Sequence, residues 1–119
     1  MPYHDALAAG IPVTSGSDAP VTAPDWLQGI STMILREGRG SGRVSGPDQR
    51  IGLEAALRTY TTNAAWQDSA EGWKGTVEPG KVADLCVLDG DLLTLDPHDI
   101  PQLAVRHTIL DGEIVHADH

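Results

Sequence analysis

Apolar positions in the first half of the chain recur with a helical period, and those in the second half alternate or cluster in short runs. Leu27, Ile30 and Ile34 fall at spacings of three and seven, which predicts a helix from Asp25 to about Arg36. Pro24 bars extension backwards, and the Asp25 carboxylate can cap the free amides of the first turn. Leu53, Ala56, Leu57 and Tyr60 make a second stripe, predicting a helix from Leu53 to about Thr61, with Glu54 and Arg58 paired one turn apart. A short helix over Pro2–Ala9 closed by Gly10, and another over Asn63–Asp68, complete the helical set.

Between the first two helices, Ile11–Ser15 reads as a brief strand followed by a sharp loop at Gly16–Pro20. A strand placed between helices in this way is a fragment of parallel α/β architecture, which carries its chemistry at the carboxyl ends of strands. Residues 37–48 are rich in Gly and dotted with Arg, and predict a mobile loop. After Gly72 the pattern turns to β. Glu78-Pro79-Gly80-Lys81 is a turn, residues 82–88 a strand, and 91–102 an irregular acidic connection with a turn at Asp96-Pro97. Asp111-Gly112, flanked by Ala104–Leu110 and Glu113–His116, signals a hairpin.

Composition narrows the function classes. The 119 residues allow one domain or part of one, and the core is short of aromatics, with Phe absent. The net charge of −9 falls almost wholly on residues 61–119. That sign disfavours nucleic acid and anionic membrane as partners, because both are held by Lys and Arg. No apolar stretch predicts a membrane span or a leader, so a cytoplasmic setting is the expectation. Cys86 is the sole cysteine and lies in the run Leu85–Leu88, which predicts a buried, inert thiol.

Most sites that motifs could suggest fail on spacing. Residues 38–42 lack the Walker Lys and the GxGxxG pattern, Ser15–Asp18 lacks the glycines of a nucleophile elbow, and Asp89–Asp91 is too short for a calcium loop. The histidines at 4, 98, 107, 116 and 119 lack the spacing that converges two imidazoles on one metal, and read as solvated surface groups. Arg36, Arg39, Arg43 and Arg50 lie in or beside the mobile loop. They are either solvated or a hold for an anionic substrate group. Asp18, one residue past a Gly-Ser pair, reads as a loop or cap residue, and its place at a strand's carboxyl end also makes it a candidate for chemistry.

Four stretches carry a family resemblance. Gly10–Pro20 resembles the last barrel strand of the amidohydrolase superfamily, and more narrowly of its amidohydrolase 3 group. Leu53–Ala65 is similar to the helix after the barrel closes, Lys74–Leu85 to the return into a β-sandwich, and Asp111–Val115 to the terminal hairpin. The resemblance implies an α/β plus β architecture in two parts. Residues 1–72 would be the last strand and outer helices of a (β/α)₈ barrel, and 73–119 the carboxyl-terminal portion of a small β-sandwich. A chain standing alone would be α+β.

The resemblance further implies a metal-dependent hydrolase of non-peptide carbon–nitrogen bonds. In it Asp18 would bind a divalent ion, zinc above others, and act as general base and acid towards water. The family's His-x-His pair, mid-barrel ligand and later histidines have no counterpart here. A catalytic zinc takes about three protein ligands, so the ion is expected only with the missing amino-terminal part, and the isolated chain is expected to be inactive and metal-free. The alternative is a non-catalytic folding or association module, joined into a homo-oligomer through unpaired strand edges. The small-molecule substrate and the residues that would bind it are not written in this sequence.

Overall fold

Asp25 caps the longest helix as its sequence predicts. In the computed structural model, which describes residues 1–118, the Asp25 carboxylate accepts the Gln28 N–H at 3.0 Å. The helix, α2 (Trp26–Leu35), ends where Arg36 turns left-handed at φ 58°. Before it comes the short α1 (Tyr3–Ala8), and after it α3 (Leu53–Tyr60) and α4 (Thr62–Gln67). The helix α2 buries Leu27, Ile30 and Met33, and Ile34 is only half-buried, so its apolar face is rotated slightly from the predicted stripe. Ala56 and Thr59 of α3 pack towards it, and the Trp26 and Tyr60 rings meet edge-on with centroids 6.4 Å apart.

The second half of the chain completes this core. Ile100, on a 3₁₀ turn (Ile100–Gln102), is buried with Leu27, Ile30, Met33, Ile51 and Ala56. The Ser31 hydroxyl donates to the Pro97 carbonyl at 2.8 Å and fixes the acidic connection on α2. Beyond lies a three-stranded antiparallel sheet in the order β1 (Leu85–Leu88), β2 (Val105–Leu110), β3 (Glu113–Ala117). Asp111 and Gly112 join β2 to β3 with φ of 51° and 82°. Positive φ at both central positions is the mark of the tight hairpin turn that matches strand twist. The fold is a small α+β unit with one antiparallel sheet.

Three expectations are corrected. Ile11–Ser15 is irregular and forms no ladder; among the described residues its only backbone bond to a later element is Ser15 N–H to the Thr59 carbonyl at 3.2 Å. A strand exists by its neighbours, and none lies beside this one. The strand expected over 82–88 begins only at Leu85, because the backbone before it is engaged elsewhere. Val82 donates to the Trp73 carbonyl, the Ala83 carbonyl accepts from Gly112, and the Asp84 carboxylate accepts from Asp111. Cys86 is exposed, not buried, since the sheet face that carries it has no covering layer.

The surface is large for the mass. The chain exposes 7722 Å², whereas a compact protein of this size exposes about 6,200 Å². Val77, Leu93, Ile114 and Val115 are more than half exposed, as are Trp66 and Trp73. Among the described residues no helix is long and apolar enough to cross a membrane.

Candidate functional site

The segment 11–17 is held on one side only. The Asn63 side-chain amide donates to the Val13 carbonyl at 3.0 Å, and the Ser15 hydroxyl approaches the Met33 sulfur at 3.6 Å. Helices α2, α3 and α4 thus aim the segment, and it ends in a turn at Asp18. The Asp18 backbone is left-handed at φ 52°, and its carbonyl accepts the Val21 N–H at 2.9 Å. Aspartate tolerates this conformation better than most residues, because its short polar side chain compensates locally. The Thr22 hydroxyl closes the loop by donating to the Ser17 carbonyl. The Asp18 side chain stands in solvent.

Beside that turn opens a cleft of about 510 Å³ lined by Ser15, Ser17, Trp26, Met33, Arg39 and Tyr60, among others. Asp18 lies next to its lining in sequence but outside it. Burial pushes the Tyr60 phenol up, with Tyr3 and Asp25 adding to the effect, so the hydroxyl stays a proton donor at neutral pH. Of the four arginines, two are tied to backbone. Arg36 donates to the Ser45 and Met1 carbonyls at 3.0 and 3.2 Å, and Arg50 to the Leu35 carbonyl at 3.0 Å. Arg36 and Arg39 both form part of the cleft lining, and Arg43 and Arg50 do not.

The resemblance singles out Asp18 as a metal donor, and among the described residues it stands in no cluster of such donors. Among the described residues no group of three or more His, Cys, Asp or Glu side chains converges, so the residues present do not fit a divalent ion by themselves. His4 lies apart in α1, whereas His107 and His116 sit on the paired strands β2 and β3 one register position from each other, with no third donor beside them among the described residues, and His119 falls outside the described residues. His98 is exposed, as its sequence suggests, yet it is far from idle. Its ring nitrogens lie 2.9 Å from both Asp96 and Glu37. The Asp-Pro-His order was the available signal, since an aspartate readily accepts the N–H two residues on, and Asp96 does so at 2.9 Å. The Glu37 partner was beyond any local signal.

Comparison with known proteins bears out the resemblance. A model of the amidohydrolase family matches residues 1–116. The chain is 32% identical over 118 residues to YtcJ of Bacillus subtilis, covering 96% of this chain and 22% of that protein. It is 32% identical over 112 residues to the N-substituted formamide deformylase of Arthrobacter pascens, covering 94% and 20%. To the 5-methylthioadenosine/S-adenosylhomocysteine deaminase of Natronomonas pharaonis it is 33% identical over 129 residues, covering 98% and 28%. The chain thus spans about a fifth of the length of the first two relatives. A crystal structure of an amidohydrolase from Thermotoga maritima superposes with a TM-score of 0.72 at 24% identity, covering 98% of this chain and 26% of that one. That likeness is one of fold.

Proposed function

The chain belongs to the amidohydrolase family, and from that premise we propose that it is a segment of a hydrolase of non-peptide carbon–nitrogen bonds. The observation that carries the reading is Asp18, a solvent-facing carboxylate on a left-handed turn after the segment 11–17, beside a cleft. Two relatives, named as a deformylase and a deaminase, support the bond class. In this reading residues 1–72 belong to the closing strand and outer helices of a barrel, and 73–119 to a β-sandwich. The work is placed in the cytoplasm.

The role assigned to Asp18 follows from its chemistry. A carboxylate takes a proton from the attacking water as the new carbon–oxygen bond forms. It returns that proton to the nitrogen as the carbon–nitrogen bond breaks. One carboxylate is too few donors for a divalent ion, so the proposal places the remaining ligands outside these residues. The isolated chain is accordingly assigned no turnover.

The test is Asp18→Asn in a protein carrying the complete barrel, assayed on N-substituted formamides and aminopurine nucleosides. Turnover is expected to fall about 10²–10⁴-fold with the circular dichroism unchanged. Undiminished turnover in that variant overturns the role of Asp18.

A second reading, a non-catalytic association module, is favoured by the large exposed area and by Ile114 and Val115 on the open edge strand β3. It expects a metal-free, well-folded homo-oligomer in gel filtration. A monomer at all concentrations argues against it.

A further inference from the structure

His98 lies between two carboxylates that come from distant parts of the sequence. Its Nδ1 is 2.9 Å from Asp96 Oδ1, and its Nε2 is 2.9 Å from Glu37 Oε2. A neutral imidazole has one N–H and can satisfy only one of them. Its bare nitrogen would then face the lone pairs of the other carboxylate. The imidazolium, with two N–H groups, satisfies both. The ring is also well placed to hold that position, because Asp96 Oδ1 accepts the His98 backbone N–H and the Pro97 carbonyl is bound by buried Ser31 of α2.

At the other end of the contact, Glu37 carries a small hairpin. It bridges Val44 across the loop, Gly38 N–H donates to the Arg43 carbonyl at 2.9 Å, and Gly42 N–H donates to the Gly38 carbonyl at 2.9 Å. Three glycines, at 38, 40 and 42, leave this hairpin few side chains with which to hold itself to the body of the protein. Glu37, Gly38 and Arg39 form part of the cleft wall. Beyond its base, where Arg36 and Ser45 exchange hydrogen bonds of 2.9 and 3.0 Å, the position of that wall depends on what holds Glu37.

We propose that His98 is a pH-operated clasp: as an imidazolium it ties Glu37, and with it the cleft-lining hairpin 37–44, to the turn at 96–98, and on losing its proton it releases them. The charged groups facing the ring are Glu37 from the hairpin and Asp96 from its own turn, and α2 contributes the neutral Ser31 through Pro97. Among the described residues no cation pairs with either carboxylate to weaken the clasp. The hydrogen bond to Asp96 first, and that to Glu37 second, hold the His98 imidazole above its ordinary proton affinity. The folded state thus binds the proton more tightly than the unfolded chain. The clasp is fully formed below the ordinary histidine value and opens as pH rises through the raised one. It is exposed, so salt weakens it.

The test is an NMR titration of the full chain, following the His98 ring and the amides of Gly38, Gly40 and Gly42. His98 is expected to titrate above the ordinary value of about 6.5, with the glycine amides shifting at the same midpoint. Glu37→Gln is expected to lower the His98 midpoint and to abolish the glycine response. A His98 midpoint at or below the ordinary value overturns the proposal, as do glycines that fail to follow His98 or that still follow it in Glu37→Gln. Should the variant misfold, the titration of the unaltered chain decides by itself.

Discussion

Gly75 stands against Ala65 with no room for a side chain between them. A Cβ at residue 75 would lie 2.7 Å from Ala65 Cβ and 3.4 Å from the Thr61 carbonyl oxygen. Ala65 is buried in α4, and Gly75 has a φ of 100°, which L-residues rarely adopt. This contact seats the chain leaving the helices as it turns towards the sheet. Gly75→Ala combines overpacking with backbone strain, and should destabilise by about 2–4 kcal/mol. Urea unfolding would read this as a lower midpoint with an unchanged slope. An unshifted midpoint would mean that the segment 70–76 moves aside freely.

Ser31 is the polar residue inside an otherwise apolar helix face, and its hydroxyl is the donor to Pro97. Ser31→Ala removes that donor and leaves the carbonyl against α2. The expected loss is about 1–2 kcal/mol in thermal or denaturant unfolding. A neutral result would show that water reaches the Pro97 carbonyl once the hydroxyl is gone.

Cys86 offers a direct check on the open sheet face. The thiol is exposed, and partial burial pushes its pKa up. A thiol reagent should therefore modify one group per native chain, more slowly than a small free thiol at neutral pH, and faster as pH rises. Modification that begins only after urea is added would mean that the face is covered in solution.

Local signals in this sequence were legible and distant ones were not. The Asp25 cap, the Glu54–Arg58 pair at 2.8 Å and the Asp111-Gly112 turn each depend on residues a few positions apart, and each appears where it was expected. The segment Ile11–Ser15 has strand-like side chains yet lacks a ladder, because a ladder is a property of two strands. The same holds for Cys86, whose apolar neighbours foretold burial without saying what would cover them. At the candidate site, Asp18 could be singled out through family resemblance. The clasp at His98 could not, since its two halves lie 61 residues apart.

Under the role proposed for Asp18, its left-handed turn and its chemistry constrain that position with different tolerances. Backbone geometry at φ 52° favours glycine, asparagine and aspartate, although Arg36 and Ser69 hold φ of 58° and 56° in the same chain. The proposed proton transfer accepts only a carboxylate. Drift in a lineage that had lost catalysis would therefore spread residue 18 beyond aspartate, with glycine and asparagine the most favoured by the backbone and β-branched residues the least. A lineage under selection for turnover would hold aspartate alone. The mixture found at this one column among relatives of this chain is thus a record of whether hydrolysis is still under selection, and it can be read without any assay.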